Sequence, residues 1–218
     1  MKNKIELLTS LRATGVVAVI RTDNPGDLVG AAKALRDGGV KFIEITMTIP
    51  GALKIIEGAS AQVQKEDIYV GAGTVLDSET ARAVILAGAS FVVGPTYEPE
   101  VVQLCNRYSI PVMPGAYTPG EIMAAWKGGA DVVKIFPADI GGPGFLKAVK
   151  EPLPQIELLP TKGINFETVG AFIKAGAIAV GTGTALVSNE LINSKNYKQI
   201  TDNAKRFTQI IQDARAGK

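Results

Sequence analysis

The sequence predicts an α/β protein, a single (β/α)8 TIM barrel over residues 1–218 with an additional N-terminal helix, and three observations predict it. Eight short runs rich in apolar and β-branched residues begin 26, 27, 22, 20, 21, 24 and 21 residues apart. Each gap holds one stretch with helical apolar spacing, the alternation that builds βαβ units around a parallel sheet. Helical stretches end in glycine just before the next run, as at Gly38-Gly39 and Gly128-Gly129, where a helix C-terminus calls for positive φ. An open doubly wound sheet is the alternative. Its first turn carries a glycine-rich fingerprint, whereas the turn here reads Arg21-Thr22-Asp23-Asn24-Pro25.

In chain order the runs are Val16–Arg21, Phe42–Thr48, Tyr69–Val75, Phe91–Pro95, Pro111–Ala116, Val132–Ala138, Ile156–Gly163 and Ala177–Gly183. Thr118-Pro119-Gly120-Glu121 reads as N-cap, first-turn proline and capping-box glutamate. Asp77 and Asn165 are further N-cap candidates. The first helix, Lys4–Leu11, and the last, Tyr197–Ala216, are amphipathic and expected on the barrel exterior. Trp126 is expected to pack within its helix, and Cys105 to be a passive thiol.

Composition narrows the chemistry. With 46% apolar and 20% charged residues the chain can bury a sizeable core. A formal charge of +2, evenly mixed, gives no field for nucleic acid or a membrane surface. One cysteine forbids an intrachain disulfide and points to a reducing compartment. No run suits a signal peptide or a membrane span, so the expected location is cytoplasmic. The chain has no histidine, which removes histidine-based acid–base work, serine or cysteine triads and most zinc sites. Chemistry must come from Lys, Glu, Asp, Thr, Tyr, Arg or Cys105.

A barrel works at the C-terminal ends of its strands, and side chains alternate faces along a strand. In the second run Glu44, Thr46 and Thr48 share a face, opposite Ile43, Ile45 and Met47. The apolar face suits the outer helices, so Glu44 points inward. Lys134 and Phe136 share the inward face of the sixth run. A buried amine is held closer to neutrality, and a neutral amine attacks a carbonyl to form a Schiff base. A nearby carboxylate can move the protons. The plainer alternative is a Lys134–Glu44 ion pair that only fixes the core. The last two runs end in Thr161-Lys162-Gly163 and Gly181-Thr182-Gly183-Thr184, glycine-rich turns where many barrels cradle phosphate on backbone N–H groups. Asp139 is a further candidate for the mouth of the site.

These residues resemble the KHG/KDPG aldolase family, the 4-hydroxy-2-oxoglutarate and 2-keto-3-deoxy-6-phosphogluconate aldolases. The likeness runs from Ala18-Val19-Ile20-Arg21 to Ala185-Leu186-Val187. It rests on Ile43-Glu44-Ile45-Thr46, Val70-Gly71-Ala72-Gly73-Thr74-Val75, Gly94-Pro95, Pro114-Gly115, Lys134-Ile135-Phe136-Pro137-Ala138, Pro160-Thr161-Lys162-Gly163 and Val180-Gly181-Thr182-Gly183-Thr184. The resemblance implies a class I aldolase that needs no metal or organic cofactor. It implies small 2-keto acid and aldehyde substrates and a homotrimer of barrels. It makes Lys134 the Schiff-base lysine and Glu44 the general acid/base. Thr74 would meet the pyruvyl carboxylate, and Pro95 and Phe136 would wall the imine. Thr161, Gly163, Gly183 and Thr184 would form the phosphate end, with Arg21 as an anion contact.

Three positions depart from the family pattern. Thr48 stands where an arginine is common, which leaves Arg21 as the candidate replacement and Thr48 as a substrate contact. Lys162 replaces the middle glycine of a P-T-G-G turn, where positive φ would strain a lysine and its ammonium would offer another anion contact. Thr184 replaces a common serine. Rivals within the class are 4-hydroxy-2-oxoglutarate and 2-keto-3-deoxy-6-phosphogalactonate aldolases. Outside it stand a phosphate-binding epimerase, which needs metal-binding histidines, and a non-enzymatic scaffold or ligand-binding module.

Overall fold

The computed structural model describes residues 3–21, 25–63 and 65–217. All eight runs carry strands: β1 (Val16–Ile20), β2 (Phe42–Thr46), β3 (Tyr69–Gly73), β4 (Val92–Val93), β5 (Val112–Met113), β6 (Gly115–Ala116), β7 (Val133–Ile135), β8 (Leu158–Pro160) and β9 (Val180–Thr182). Nine strands arise from eight runs because Pro114 divides the fifth. Proline has no N–H for the ladder, although its carbonyl accepts from Lys134 N at 2.9 Å. The runs overreach because their rhythm continues into the following turns. Arg21, Thr48, Val75 and Pro95 all lie past the last paired residue.

The strands form a curled α/β arrangement of two parallel sheets, one ordered β5-β4-β3-β2-β1-β9 and the other β6-β7-β8. A parallel bridge between Thr161 and Gly181 continues beyond β8 and β9. Helices α2 (Pro25–Asp37), α3 (Ala52–Val63), α4 (Ser78–Leu86), α5 (Pro99–Arg107), α6 (Pro119–Lys127), α7 (Gly142–Lys150) and α8 (Val169–Lys174) alternate with them. Short α9 (Asn189–Asn193) and long α10 (Tyr197–Arg215) follow. The larger apolar cluster lies between strands and helices and includes Ile20, Ile43, Ile45 and Val70 with Leu28, Leu35 and Ile56. Helix α10 packs on α2 and α8, its Thr201 hydroxyl donating to Ala34 O at 2.9 Å.

Helix starts follow their caps. Thr118 and Glu121 form the anticipated capping box, and Asp77 accepts from Thr80 N at 2.6 Å. Asn165 differs. Its carbonyl oxygen accepts from Glu167 N and Thr168 N, which caps a turn preceding α8, whose own N-cap is Thr168. Trp126 is half-buried against the main core. Cys105 is fully buried, and burial pushes its thiol up to about 12, a passive group.

The first helix, α1 (Lys4–Thr14), is not on the exterior. Its Leu7 and Leu11 join a second cluster with Val17, Phe42, Tyr69, Phe91, Met113, Val132, Leu159 and Ala179, each within one position of the start of a strand. Lys4 pairs with Asp131 at 2.8 Å and Arg12 with Glu157 at 2.7 Å. Both carboxylates precede inner strands, so α1 lies across the N-terminal end and plugs it. Amphipathic spacing shows that a face is buried but not what buries it. Leu11 is 0% exposed. Leu11→Ala is therefore expected to cost about 2–5 kcal/mol in urea unfolding, the range for emptying a well-packed core site.

Candidate active site

The second cluster fixes which faces look inward. Two residues further along those faces stand Glu44 on β2, Gly71 on β3, Gly115 on β6, Lys134 on β7, and Thr161 and Gly181 beyond β8 and within β9. The same alternation that fills the plugged end with Phe and Leu places small and polar residues in the next layer. Glycine inside a strand marks a place where another group comes close. That signal was present in the sequence at Gly71, Gly115 and Gly181.

Glu44 is 3% exposed and Lys134 6%. Glu44 stands in register with Val19 on one side and Gly71 on the other, and Lys134 with Gly115 and Leu159. The Glu44 carboxyl folds over Gly73, where a Cβ would sit 2.7 Å from Glu44 Cγ and closer still to its Oε1. Only glycine leaves that room. Lys134 Nζ lies 5.1 Å from the centre of the Phe136 ring, within the reach of a cation–π contact. Among the described residues neither Lys134 nor Glu44 makes an ion pair or a side-chain hydrogen bond. The core-fixing ion pair weighed from the sequence is therefore not there. Two ionisable groups sit inside the fold without the partner that would compensate their burial.

The surrounding turns supply the remaining candidates. Thr74, directly after Gly73, is half-buried at φ +58°, an uncommon conformation for a β-branched residue. Thr46 is buried and shares a 2.9 Å hydrogen bond with Thr48. Thr48 itself is exposed, because the strand ends at Thr46. Pro95 is half-buried, its carbonyl pressed on Gly115. Thr161 Oγ1 is buried against Gly181 and has no hydrogen-bond partner, an arrangement costing about 1–3 kcal/mol unless a bound group completes it.

At the mouth, Lys162 and Gly163 are both left-handed, at φ +80° and +76°. The strain anticipated at Lys162 is present. Thr182 Oγ1 donates to Ile164 O at 2.8 Å and ties this turn to β9. Gly183 lies over the Val19 carbonyl, and its own carbonyl accepts from Leu186 N and Val187 N. The backbone N–H groups of Gly163, Ile164, Thr184 and Ala185 have no acceptor among the described residues. Thr184 is exposed, as is Arg21 just past β1. Free N–H groups from two neighbouring turns are suited to an anion.

Among the described residues no group of three or more His, Cys, Asp or Glu could hold a metal ion, and no helix is long and apolar enough to cross a membrane. A cavity of about 680 Å³ opens at the opposite end, beside Ser60, Ile68, Tyr69 and Leu86, and contains none of the candidate residues.

Comparison with known proteins adds an independent finding. The family model "KDPG and KHG aldolase" matches residues 7–203. A 2-dehydro-3-deoxy-phosphogluconate aldolase of Treponema pallidum is 31% identical over 208 residues, 95% of this chain and 98% of the relative. A structure described as native KDPGal superposes with a TM-score of 0.85 at 27% identity, covering 92% of this chain and 96% of the other. KDPG aldolase from Legionella pneumophila, captured with pyruvate as a covalent carbinolamine, gives 0.83 at 30% identity, covering 90% and 95%.

The absence of a Lys134–Glu44 pair has a measurable consequence. Lys134→Met is expected to leave stability unchanged or to raise it in chemical denaturation. A loss of about 3–5 kcal/mol, the cost of stranding one member of a buried pair, would contradict the geometry.

Proposed function

The chain belongs to the KDPG and KHG aldolase family, and on that premise we propose that it is a class I aldolase. It reversibly cleaves 2-keto-3-deoxy-6-phosphogluconate to pyruvate and glyceraldehyde 3-phosphate. The observation that carries this reading is the unpaired burial of Lys134 and Glu44 in one inward-facing layer.

Lys134 Nζ, as the neutral amine, adds to the C2 carbonyl of the substrate, and the carbinolamine loses water to give an iminium. Glu44, directly or through a water, takes the proton of the C4 hydroxyl. The C3–C4 bond breaks, its electron pair moves into the iminium to form an enamine, and the aldehyde leaves. Glu44 returns a proton to C3, and water hydrolyses the new iminium to release pyruvate and the free lysine. Phe136 and Pro95 wall the imine, and Thr74 meets the carboxylate. Thr161 supplies its unpartnered hydroxyl to a substrate oxygen. The turns at Lys162-Gly163 and Gly183-Thr184 receive the phosphate, with Thr48 and Arg21 at the rim. The reaction draws on no metal or organic cofactor.

The alternatives 4-hydroxy-2-oxoglutarate and 2-keto-3-deoxy-6-phosphogalactonate would use the same lysine and glutamate. The four free N–H groups at the mouth favour a phosphorylated substrate over the first. The reading goes with a closed eight-stranded barrel as one domain over residues 1–218, the two sheets being arcs of one ring. The Pro114 carbonyl bond to Lys134 and the Thr161–Gly181 bridge support that closure. It also goes with a cytoplasmic homotrimer. Exposed Leu76 and Ile140, in the loops after β3 and β7, offer apolar surface for subunit contact.

Borohydride reduction in the presence of pyruvate tests the assignment. A pyruvyl adduct is expected on Lys134 by peptide mass spectrometry and is expected to vanish in Lys134→Met. An adduct on another lysine would overturn it.

A further inference from the structure

The reaction above leaves Asp139 without a task. The N–H of Ala138 donates to Thr161 O at 3.0 Å, so the loop after β7 runs beside the turn after β8. There Asp139 is packed directly on Gly163. A Cβ at Gly163 would stand 2.5 Å from Asp139 Cβ and 3.1 Å from its Cα. Asp139 Oδ2 lies 3.8 Å from Lys162 Nζ, with the two side chains 40% and 57% exposed. A pair so long and so exposed is weak and is readily exchanged for another partner. Lys162, meanwhile, is held at φ +80°, where glycine would sit without strain. The side chain is kept at a conformational cost, beside two N–H groups, those of Gly163 and Ile164, that have no acceptor among the described residues.

An anion arriving at this turn therefore meets one ammonium and two free donors, and also a carboxylate that already holds the ammonium. Resting on the aldolase reading above, we infer that Asp139 and Lys162 together set the preference for a phosphorylated over an unphosphorylated aldehyde. Lys162 exchanges Asp139 for the phosphate when substrate binds. Asp139 opposes that exchange with its own charge, so the site takes phosphate less tightly than its donors alone would allow. An aldehyde ending in a neutral hydroxyl leaves the pair intact and gains nothing from its removal.

Condensation of pyruvate with glyceraldehyde 3-phosphate or with glyceraldehyde separates the two substrates. Asp139→Asn is expected to raise kcat/KM for the phosphorylated aldehyde roughly three- to tenfold, through KM, by removing one opposing charge. Lys162→Gln is expected to lower it about tenfold or more, again through KM, by removing a charge-assisted contact. Asp139→Asn is expected to leave glyceraldehyde unchanged, and Lys162→Gln to change glyceraldehyde several-fold less than the phosphorylated aldehyde. Equal changes for the two aldehydes, or a fall for Asp139→Asn with the phosphorylated one, would overturn the inference. Borohydride trapping of pyruvate on wild type and both variants keeps the two levels apart. Adducts on Lys134 in all three with an unmoved aldehyde ratio defeat this inference alone. No adduct on wild type defeats the aldolase reading and this inference with it.

Discussion

Lys134 and Glu44 are the constraint around which the rest of the structure is arranged. A lysine and a glutamate are buried in one layer of the interior, and neither pairs with the other. Such groups are expensive to bury, and the fold carries them by being well filled elsewhere. Below them the interior is packed with Phe42, Tyr69, Phe91, Met113 and Leu159, and α1 closes the end with Leu7 and Leu11. Outside, the helices bury the opposite faces of the same strands. In the layer of Glu44 and Lys134, glycines at 71, 115 and 181 take the place of side chains. The plugged end and the proposed reactive end are thus two levels of one set of strands.

Local strain is present at the candidate site as well as elsewhere in the fold. Thr74 and Lys162 are left-handed without being glycine, at about 1–3 kcal/mol each. Thr161 keeps a buried hydroxyl without a partner. A substrate that hydrogen-bonds Thr161 and the free N–H groups would recover part of that energy on binding.

Much of this was legible in the sequence because it follows from short-range rules. The pitch of the apolar runs gave the strands, two-residue alternation turned Glu44 and Lys134 inward, and Thr118 with Glu121 marked a helix start. The misses share a different origin. Where α1 lies depends on which surface its leucines meet, and that surface is assembled from eight distant segments. The break at Pro114 was written in the residue but sat inside a run that reads as continuous. Thr48 keeps the rhythm of its strand after the ladder has ended. The Asp139–Gly163 contact joins two turns that no local pattern relates.

Hydrogen exchange at the pyruvate methyl group tests the division of labour between the two buried groups most directly. In deuterated water, wild-type protein is expected to replace the methyl protons of pyruvate with deuterons, read by proton NMR, because the Lys134 enamine forms and is reprotonated. Glu44→Gln is expected to retain the borohydride-trapped adduct on Lys134 while exchanging about a hundredfold more slowly or worse. Exchange at the wild-type rate in Glu44→Gln, or exchange that survives Lys134→Met, would contradict the account.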